Sequence, residues 1–280
     1  MRFTKMHGLG NDFVVVDGVQ EELPNPDRWP RMAQRICRRR FGVGADGLIV
    51  ILPSRRAHFR MRMFNPDGSE AEMCGNGIRC LAKYVFEHGL TIDTELDIET
   101  KAGIIRPKLI TKRRRVELVR VDMGEPRLRR RDIPMRGDPE ALVINERLKV
   151  DGERYNVTCV SMGNPHCVLF VNNVEYAEVE KLGPKIERHN LFPDRSNVEF
   201  VQVHRRDEIS MRVWERGVGR TVSCGTGACA AVVAGALNDL TQRKVTVHLE
   251  GGDLFVEWRG DNRVLMTGPA EEVFTGEIDL

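Results

Sequence analysis

Apolar and polar residues alternate through Phe59-Arg60-Met61-Arg62-Met63-Phe64, and again through Ile209-Ser210-Met211-Arg212-Val213-Trp214. A period of two predicts strands with one buried face. Ten residues after Phe64 stands Cys74-Gly75-Asn76-Gly77, and ten after Trp214 stands Cys224-Gly225-Thr226-Gly227, so strand end and cysteine recur 150 positions on. An earlier pair fits the same scheme at an offset of 153. In it Gly10-Asn11-Asp12-Phe13 precedes Val14-Val15-Val16, and Gly163-Asn164-Pro165-His166 precedes Val168-Leu169-Phe170-Val171. The chain reads as two similar halves, each supplying a Gly-Asn turn and a Cys-Gly-x-Gly turn.

Behind each cysteine the period becomes helical. Ile78, Leu81, Ala82, Val85 and Phe86 share one face, with Gly89 as a C-terminal stop. Residues 228–237 are small and apolar all round, which predicts a buried helix. Each cysteine therefore sits at or just before a helix N-terminus, in a strand–turn–helix. Further helices are expected at 30–40, with Met32, Ala33 and Ile36 inward, and at 174–182, closed by Gly183-Pro184. Strands are expected at 48–52, 96–100, 115–121, 155–161, 198–203, 245–249 and 254–258. The stretch 123–139, rich in Gly, Pro and Arg, is the expected crossover between halves.

Composition narrows the class. With 280 residues, 41% of them apolar and 30% charged, the chain suits one large or two moderate globular domains with a real core. A net charge of +2 does not mark a nucleic-acid or acidic-membrane binder. Arginines cluster at 38–40, 113–115 and 129–131, but acids interrupt the neighbouring stretches and aromatics are only 6%. Those clusters are expected to be solvated surface or turn, without a function. Seven cysteines, an odd number, argue against a disulfide framework and for reduced thiols in the cytoplasm. The opening MRFTKMHGLGNDF has no signal-like apolar core, and no run approaches the ~18–20 apolar residues of a membrane span.

A thiol at a helix N-terminus meets the positive end of the dipole and unpaired backbone N–H groups, which favour the thiolate. From an ordinary thiol pKa of ~8.5, a modest fall gives a usable base near neutral pH. Gly75, Gly77, Gly225 and Gly227 leave those N–H groups open to an anion. Two such sites gripping one carboxylate, with a sulfur on each face of its α-carbon, would remove a proton from one side and deliver one from the other. The expected chemistry is inversion of a stereocentre by Cys74 and Cys224. Cys37, Cys80, Cys159, Cys167 and Cys229 read as inert core residues. The spacings Cys74-x5-Cys80 and Cys224-x4-Cys229 are not those of structural zinc pairs, and P-loop and Rossmann spacings are absent.

These features resemble the diaminopimelate epimerase family, within the proline-racemase-like racemases and isomerases. The resemblance runs nearly end to end, through Lys5-Met6-His7-Gly8-Leu9-Gly10-Asn11-Asp12-Phe13, Phe64-Asn65-Pro66-Asp67-Gly68-Ser69-Glu70 and Cys74-Gly75-Asn76-Gly77-Ile78-Arg79-Cys80. It continues through Ser161-Met162-Gly163-Asn164-Pro165-His166, Glu215-Arg216-Gly217-Val218-Gly219 and Cys224-Gly225-Thr226-Gly227-Ala228-Cys229. It implies an α/β (α+β) fold of two pseudo-symmetric lobes, each a barrel-like sheet around a central helix, with the active site in the cleft. On this pattern residues 1–118 with 270–280 form the N-terminal lobe and 119–269 the C-terminal lobe, and a strand at 274–280 returns to the first lobe.

The implied reaction interconverts LL- and meso-2,6-diaminoheptanedioate, on the way to lysine and peptidoglycan, without pyridoxal phosphate, other cofactor or metal. The implied assembly is a homodimer, with a small-molecule substrate and neither nucleic acid nor membrane as partner. The resemblance makes Cys74 and Cys224 the acid–base pair and has Gly75, Asn76, Gly225 and Thr226 hold the reacting carboxylate. Asn11, Asn65, Asn164, Asn197, Glu215 and Arg216 would bind the amino group and distal half, with His166 and Glu215 also counted as catalytic. A guanidinium at Arg216 can fork onto a carboxylate, and His166 can tune or relieve a thiol of its proton. At Gly47 some members carry a glutamine that approaches substrate, and here no side chain is available.

Two alternatives stay open from sequence. One is a related enzyme acting on proline, hydroxyproline or an unsaturated acid, against which Asn197, Glu215 and Arg216 argue. The other is a nucleic-acid-binding protein using the arginine clusters.

Overall fold

The computed structural model describes residues 1–279. Leu280, the last residue of the expected strand at 274–280, lies outside the described residues. The chain divides into two compact units, Met1–Asp122 with the stretch from Thr267 onward, and Met123–Met266.

In the first unit the sheet runs Glu271–Glu277, Arg2–Gly8, Asn11–Asp17, Gly47–Leu52, Phe59–Phe64, Ile98–Thr100, Gly103–Ile105, with Glu70–Ala71 paired to Phe59–Phe64. The second unit runs Glu146–Val150, Glu153–Ser161, Pro165–Phe170, Asn197–Arg205, Glu208–Glu215, Lys244–Leu249, Gly252–Trp258, Val264–Gly268. Its short strand Gly219–Thr221 pairs with Glu208–Glu215. Strand directions match as well as order. Parallel pairing places Phe13 opposite Gly47 in one unit and His166 opposite Asn197 in the other. A second parallel pair joins Phe59 to Ile98 and Glu208 to Thr246. The repeat in the sequence is thus a repeat in topology, and it aligns Phe13 with His166, Gly47 with Asn197, Ile49 with Glu199, and Asn65 with Glu215.

Four helices complete the fold: α1 (Trp29–Ile36), α2 (Gly75–Glu87), α3 (Val179–Glu187) and α4 (Gly225–Leu237). The helix α2 packs on Arg2–Gly8 and on the strand Arg115–Asp122, and α4 packs on Glu153–Ser161 and Gly252–Trp258. Ile78, Leu81, Ala82 and Val85 are fully buried, and so is every residue from Ala228 to Ala234, as the apolar patterns predict. At ~0.8 kcal/mol per buried methylene, these two helices anchor their units. Lys83 on α2 donates to Val116 O at 2.9 Å, fastening the hairpin Lys108–Lys112/Arg115–Asp122 to it.

Three local expectations are corrected. The first helix stops at Ile36 rather than 40, because the chain turns back and the N–H groups of Gly44 and Ala45 take the carbonyls of Ile36 and Cys37. Gly44 adopts φ +78°, which a side chain would resist. The expected helix at 174–182 is a short 3-10 turn, Val174–Tyr176, followed by α3, which contains Gly183 and Pro184 rather than ending at them. Gly183 is there for closeness: a Cβ on it would fall 2.6 Å from Trp214 Cβ. The arginine cluster at 129–131 is not all surface. Arg129 and Arg131 are exposed and share Glu140, but Arg130 is buried, paired with Glu146 and donating to Arg136 O at 2.7 Å.

Candidate active site

Each cysteine caps its helix from an extended conformation, Cys74 at φ −142° and Cys224 at φ −129°. The first intrahelical bonds run from Ile78 N to Cys74 O (2.9 Å) and from Ala228 N to Cys224 O (3.0 Å). The N–H groups of the three residues between belong to the first helical turn, which has no intrahelical acceptors. Gly75, Asn76 and Gly77 supply them in one unit, and Gly225, Thr226 and Gly227 in the other. The second glycine of each set is closely packed, more so at Gly227 than at Gly77. A Cβ on Gly77 would lie 3.1 Å from Ile49 Cδ1, and one on Gly227 would lie 2.8 Å from Glu199 Oε1 and 3.3 Å from Cys224 Sγ.

In the first unit, Cys74 Sγ accepts from Gly77 N at 3.5 Å and lies 3.9 Å from Asn11 Oδ1. Asn11 Oδ1 also accepts from Asn76 Nδ2 at 3.1 Å, and Asn11 Nδ2 donates to Asp46 Oδ2 at 2.9 Å. Asp46 belongs to a network in which Asp12 pairs with Lys5 (2.6 Å) and Arg39 (2.7 Å). Burial alone would raise Asp12, but Arg39 and Lys5 outweigh it and hold the carboxyl down at about 2. This fixed charge set locks the Gly10-Asn11 turn beside Cys74. Asn65 sits in its own turn, donating to Ser69 Oγ at 2.9 Å. Gly47 is crowded: a Cβ would meet Phe64 O at 3.1 Å and Met63 Cε at 3.2 Å.

In the second unit, titratable groups surround the thiol. The Cys224 side chain lies 3.6 Å from Thr226 Oγ1, and the Glu215 carboxyl is close enough for its charge to act on the thiol. Thr221 Oγ1 donates to the same Glu215 carboxyl. Burial, then the charges of Glu215 and Glu199, push the Cys224 thiol well above its ordinary range. The helix N-terminus was expected to favour the thiolate here. Desolvation and two carboxylates win instead, so Cys224 stands as a thiol. Burial also raises Glu215, against the hydrogen bond from Thr221. His166 is fully buried, with Nδ1 at 2.7 Å from Glu199 Oε1 and Nε2 at 2.9 Å from Asn164 Oδ1. Asn164 Nδ2 in turn reaches Thr226 Oγ1 at 3.3 Å.

Arg216 is exposed, and its backbone is held from below. Asn197, itself buried, donates to Pro165 O (2.8 Å) and accepts from Arg216 N (2.9 Å). Buried Glu187 accepts from Trp214 Nε1 at 2.8 Å and Gly217 N at 3.0 Å. The Arg216 guanidinium donates to Asp194 O at 3.0 Å. The five remaining cysteines are buried, and burial raises the thiols of Cys37 to about 11 and Cys80 to about 12.

Sequence reading missed Glu199, Asp46 and Glu187. Glu199 had a signal, since an acid inside the apolar run Val198-Glu199-Phe200-Val201 is out of pattern. Asp46 and Glu187 had none, because their partners lie far along the chain.

Solved structures with this fold include a phenazine biosynthesis protein of the PhzF family from Bacillus anthracis (TM-score 0.73, 18% identity, 100% of this chain and 99% of that one). A hydroxyproline epimerase from Agrobacterium vitis also shares it (TM-score 0.70, 14% identity, 99% and 91% covered). The fold is therefore that of the PhzF and proline-racemase-like epimerases. A family model described as diaminopimelate epimerase matches residues 3–129 and 158–273. The diaminopimelate epimerase of Moorella thermoacetica is 60% identical over 281 residues, covering 100% of both chains. That of Pelotomaculum thermopropionicum is 58% identical over 277 residues, covering 99% of this chain and 98% of its own. The chain belongs to the diaminopimelate epimerase family and is an isomerase of the epimerase type.

Proposed function

We propose that this chain interconverts LL- and meso-2,6-diaminoheptanedioate by a two-base mechanism, with Cys74 and Cys224 as the acid–base pair, in the supply of lysine and peptidoglycan precursors. The observation that carries the proposal is the duplication itself: the same thiol, at the same helix start, with the same open N–H groups, occurs once in each half. Reaction at an α-carbon with inversion needs one proton removed from one face and one delivered to the other. The carbanion pushes charge onto its carboxylate, where preorganised N–H groups from Gly75-Asn76 and Gly225-Thr226 stabilise it. Pyridoxal phosphate and metal are then unnecessary, since the N–H groups replace an electron sink.

Within the second half, Glu215 takes the Cys224 proton and returns it, a reading supported by its charge acting on that thiol. His166 assists proton transfer, and Arg216 forks onto the distal carboxylate. Asn11, Asn65, Asn164 and Asn197 shape the polar surroundings of the amino groups, with Asn197 acting by holding the Arg216 backbone. The reducing cytoplasm suits catalytic thiols, and a homodimer is the assembly that the family resemblance implies.

The test is solvent deuterium uptake at the α-carbon of LL-diaminopimelate under reducing conditions. Wild type is expected to incorporate deuterium and form the meso isomer, and no incorporation would sink the proposal. Cys74→Ala and Cys224→Ala should each abolish epimerisation. Near-normal turnover by either one would refute the two-base scheme.

A further inference from the structure

Glu199 lies on the strand Asn197–Arg205 with no exposed surface. One carboxylate oxygen accepts from His166 Nδ1 at 2.7 Å. The other, Oε2, is buried with no hydrogen-bond partner. Such a group costs several kcal/mol unless a charge offsets it, and a half-satisfied one calls for a reason. Packing is not the reason. The equivalent residue in the first unit is Ile49, whose Cδ1 stands against Gly77 as Glu199 Oε1 stands against Gly227. An aliphatic side chain fills this place in the same fold, and Phe13 fills the place of His166.

We propose that Glu199 is a positioning residue of the reaction, locking the His166 imidazole in one orientation and setting the charge seen by the Cys224 thiol. The carboxylate fixes Nδ1 as the donor and turns Nε2 toward Asn164 and Thr226, beside the α4 N-terminus. Polar partners thus hold both ring nitrogens, Glu199 Oε1 at Nδ1 and Asn164 Oδ1 at Nε2. On the face of the sheet that Glu199 shares, the charged or titratable groups around it are His166 on Pro165–Phe170, Glu215 at the end of Glu208–Glu215, and Cys224 at the start of α4, while Cys167 lies on the opposite face beside Val198. Its charge and that of Glu215 both oppose ionisation of Cys224, so the thiol of the second half keeps its proton until substrate arrives.

The proposal rests on the epimerase reading, and the experiment separates the two. Full-length Glu199→Gln keeps size and shape but not charge. Its kcat is expected to fall about 10- to 100-fold, the worth of one charge-assisted hydrogen bond, with KM within about twofold. Its pH–rate profile should shift, and iodoacetamide should alkylate Cys224 faster at a given pH, read site by site by mass spectrometry. Glu199→Asp should regain part of each. A wild-type pH profile and a wild-type Cys224 alkylation rate in Glu199→Gln would overturn the proposal. If Glu199→Gln does not fold, histidine-labelled wild type decides by NMR. A downfield, exchange-protected Nδ1 proton at His166, assigned by its loss in His166→Gln, supports the proposal, and its absence from wild type overturns it. Failure of wild type to take up deuterium would remove the epimerase reading while the alkylation and NMR results still judge the Glu199–His166 pair.

Discussion

Phe13, Ile49 and Asn65 occupy, in the first unit, the positions that His166, Glu199 and Glu215 occupy in the second. The strands of the first sheet each have a counterpart in the second, and both helices are 13 residues long. What differs is the electrostatics. The Cys74 turn is braced by the neutral amides of Asn11 and Asn76, and Asn11 in turn donates to Asp46 in a separate Asp12–Lys5–Arg39–Asp46 network. The Cys224 turn carries its carboxylates directly against the thiol. A duplicated scaffold thus sets its two cysteines among different side chains, and the proposed acid–base roles can be tested against that difference.

Making the second half resemble the first should cost most. Glu215→Asn is expected to lower kcat/KM by about 100- to 10,000-fold, the usual worth of a general base. Cys224 should then alkylate more readily at neutral pH, and an unchanged rate of turnover would remove Glu215 from the mechanism. The reverse exchange, Ile49→Glu, buries a carboxylate with no histidine opposite it. Denaturant unfolding should show a loss of about 3–5 kcal/mol. Adding Phe13→His should return at least ~1 kcal/mol as coupling, and strict additivity would show that the two sites are not equivalent.

Between the paired glycines the contrast is smaller. Gly77→Ala meets only a movable methyl and gains helix propensity, so its stability should stay within about 1 kcal/mol of wild type. Gly227→Ala presses on Glu199 and Cys224 Sγ and should cost about 1–3 kcal/mol by thermal or denaturant unfolding. Equal costs would mean the two turns are equally tight.

Smallest is the dependence on pH, and its sign differs between halves. Asp12 is depressed to about 2, so its contribution is complete above the ordinary carboxylate range and fades as pH falls from ~4 toward 2. Cys224 is raised, so its contribution is complete below ~8.5 and fades as pH climbs toward its folded value. The ceiling is about 1.4 kcal/mol per pH unit, and less for Asp12, whose partner Arg39 is solvent-screened. Asp12→Asn should flatten the acid side and Cys224→Ala the alkaline side.

Much of the scaffold the two halves share was legible in the sequence. The period-two strands, the two Cys-Gly-x-Gly turns and their offset gave the halves, the helices and the thiols. Pairings over distance were not legible. Gly183-Pro184 reads locally as a stop, and only Trp214 across the contact explains why the helix continues. Arg130 looks like its neighbours until Glu146 is found beside it. The helix start argued for thiolate at Cys224, and burial, helped by two acids from other strands, reversed it. Local patterning reports the backbone, whereas charge is set by whatever folds in beside it.

The strand Arg2–Gly8 is hydrogen-bonded on one side to Asn11–Asp17 and on the other to Glu271–Glu277. The second unit is one continuous stretch, complete when Met266 has been made. The first must leave its outermost sheet position vacant until Glu271–Glu277 has been made, with an unpaired edge beside Arg2–Gly8. Vectorial synthesis therefore favours the half that carries Glu199 and Glu215 as the one to mature first. The half that carries Cys74 is sealed by a strand made only after the whole of the second unit.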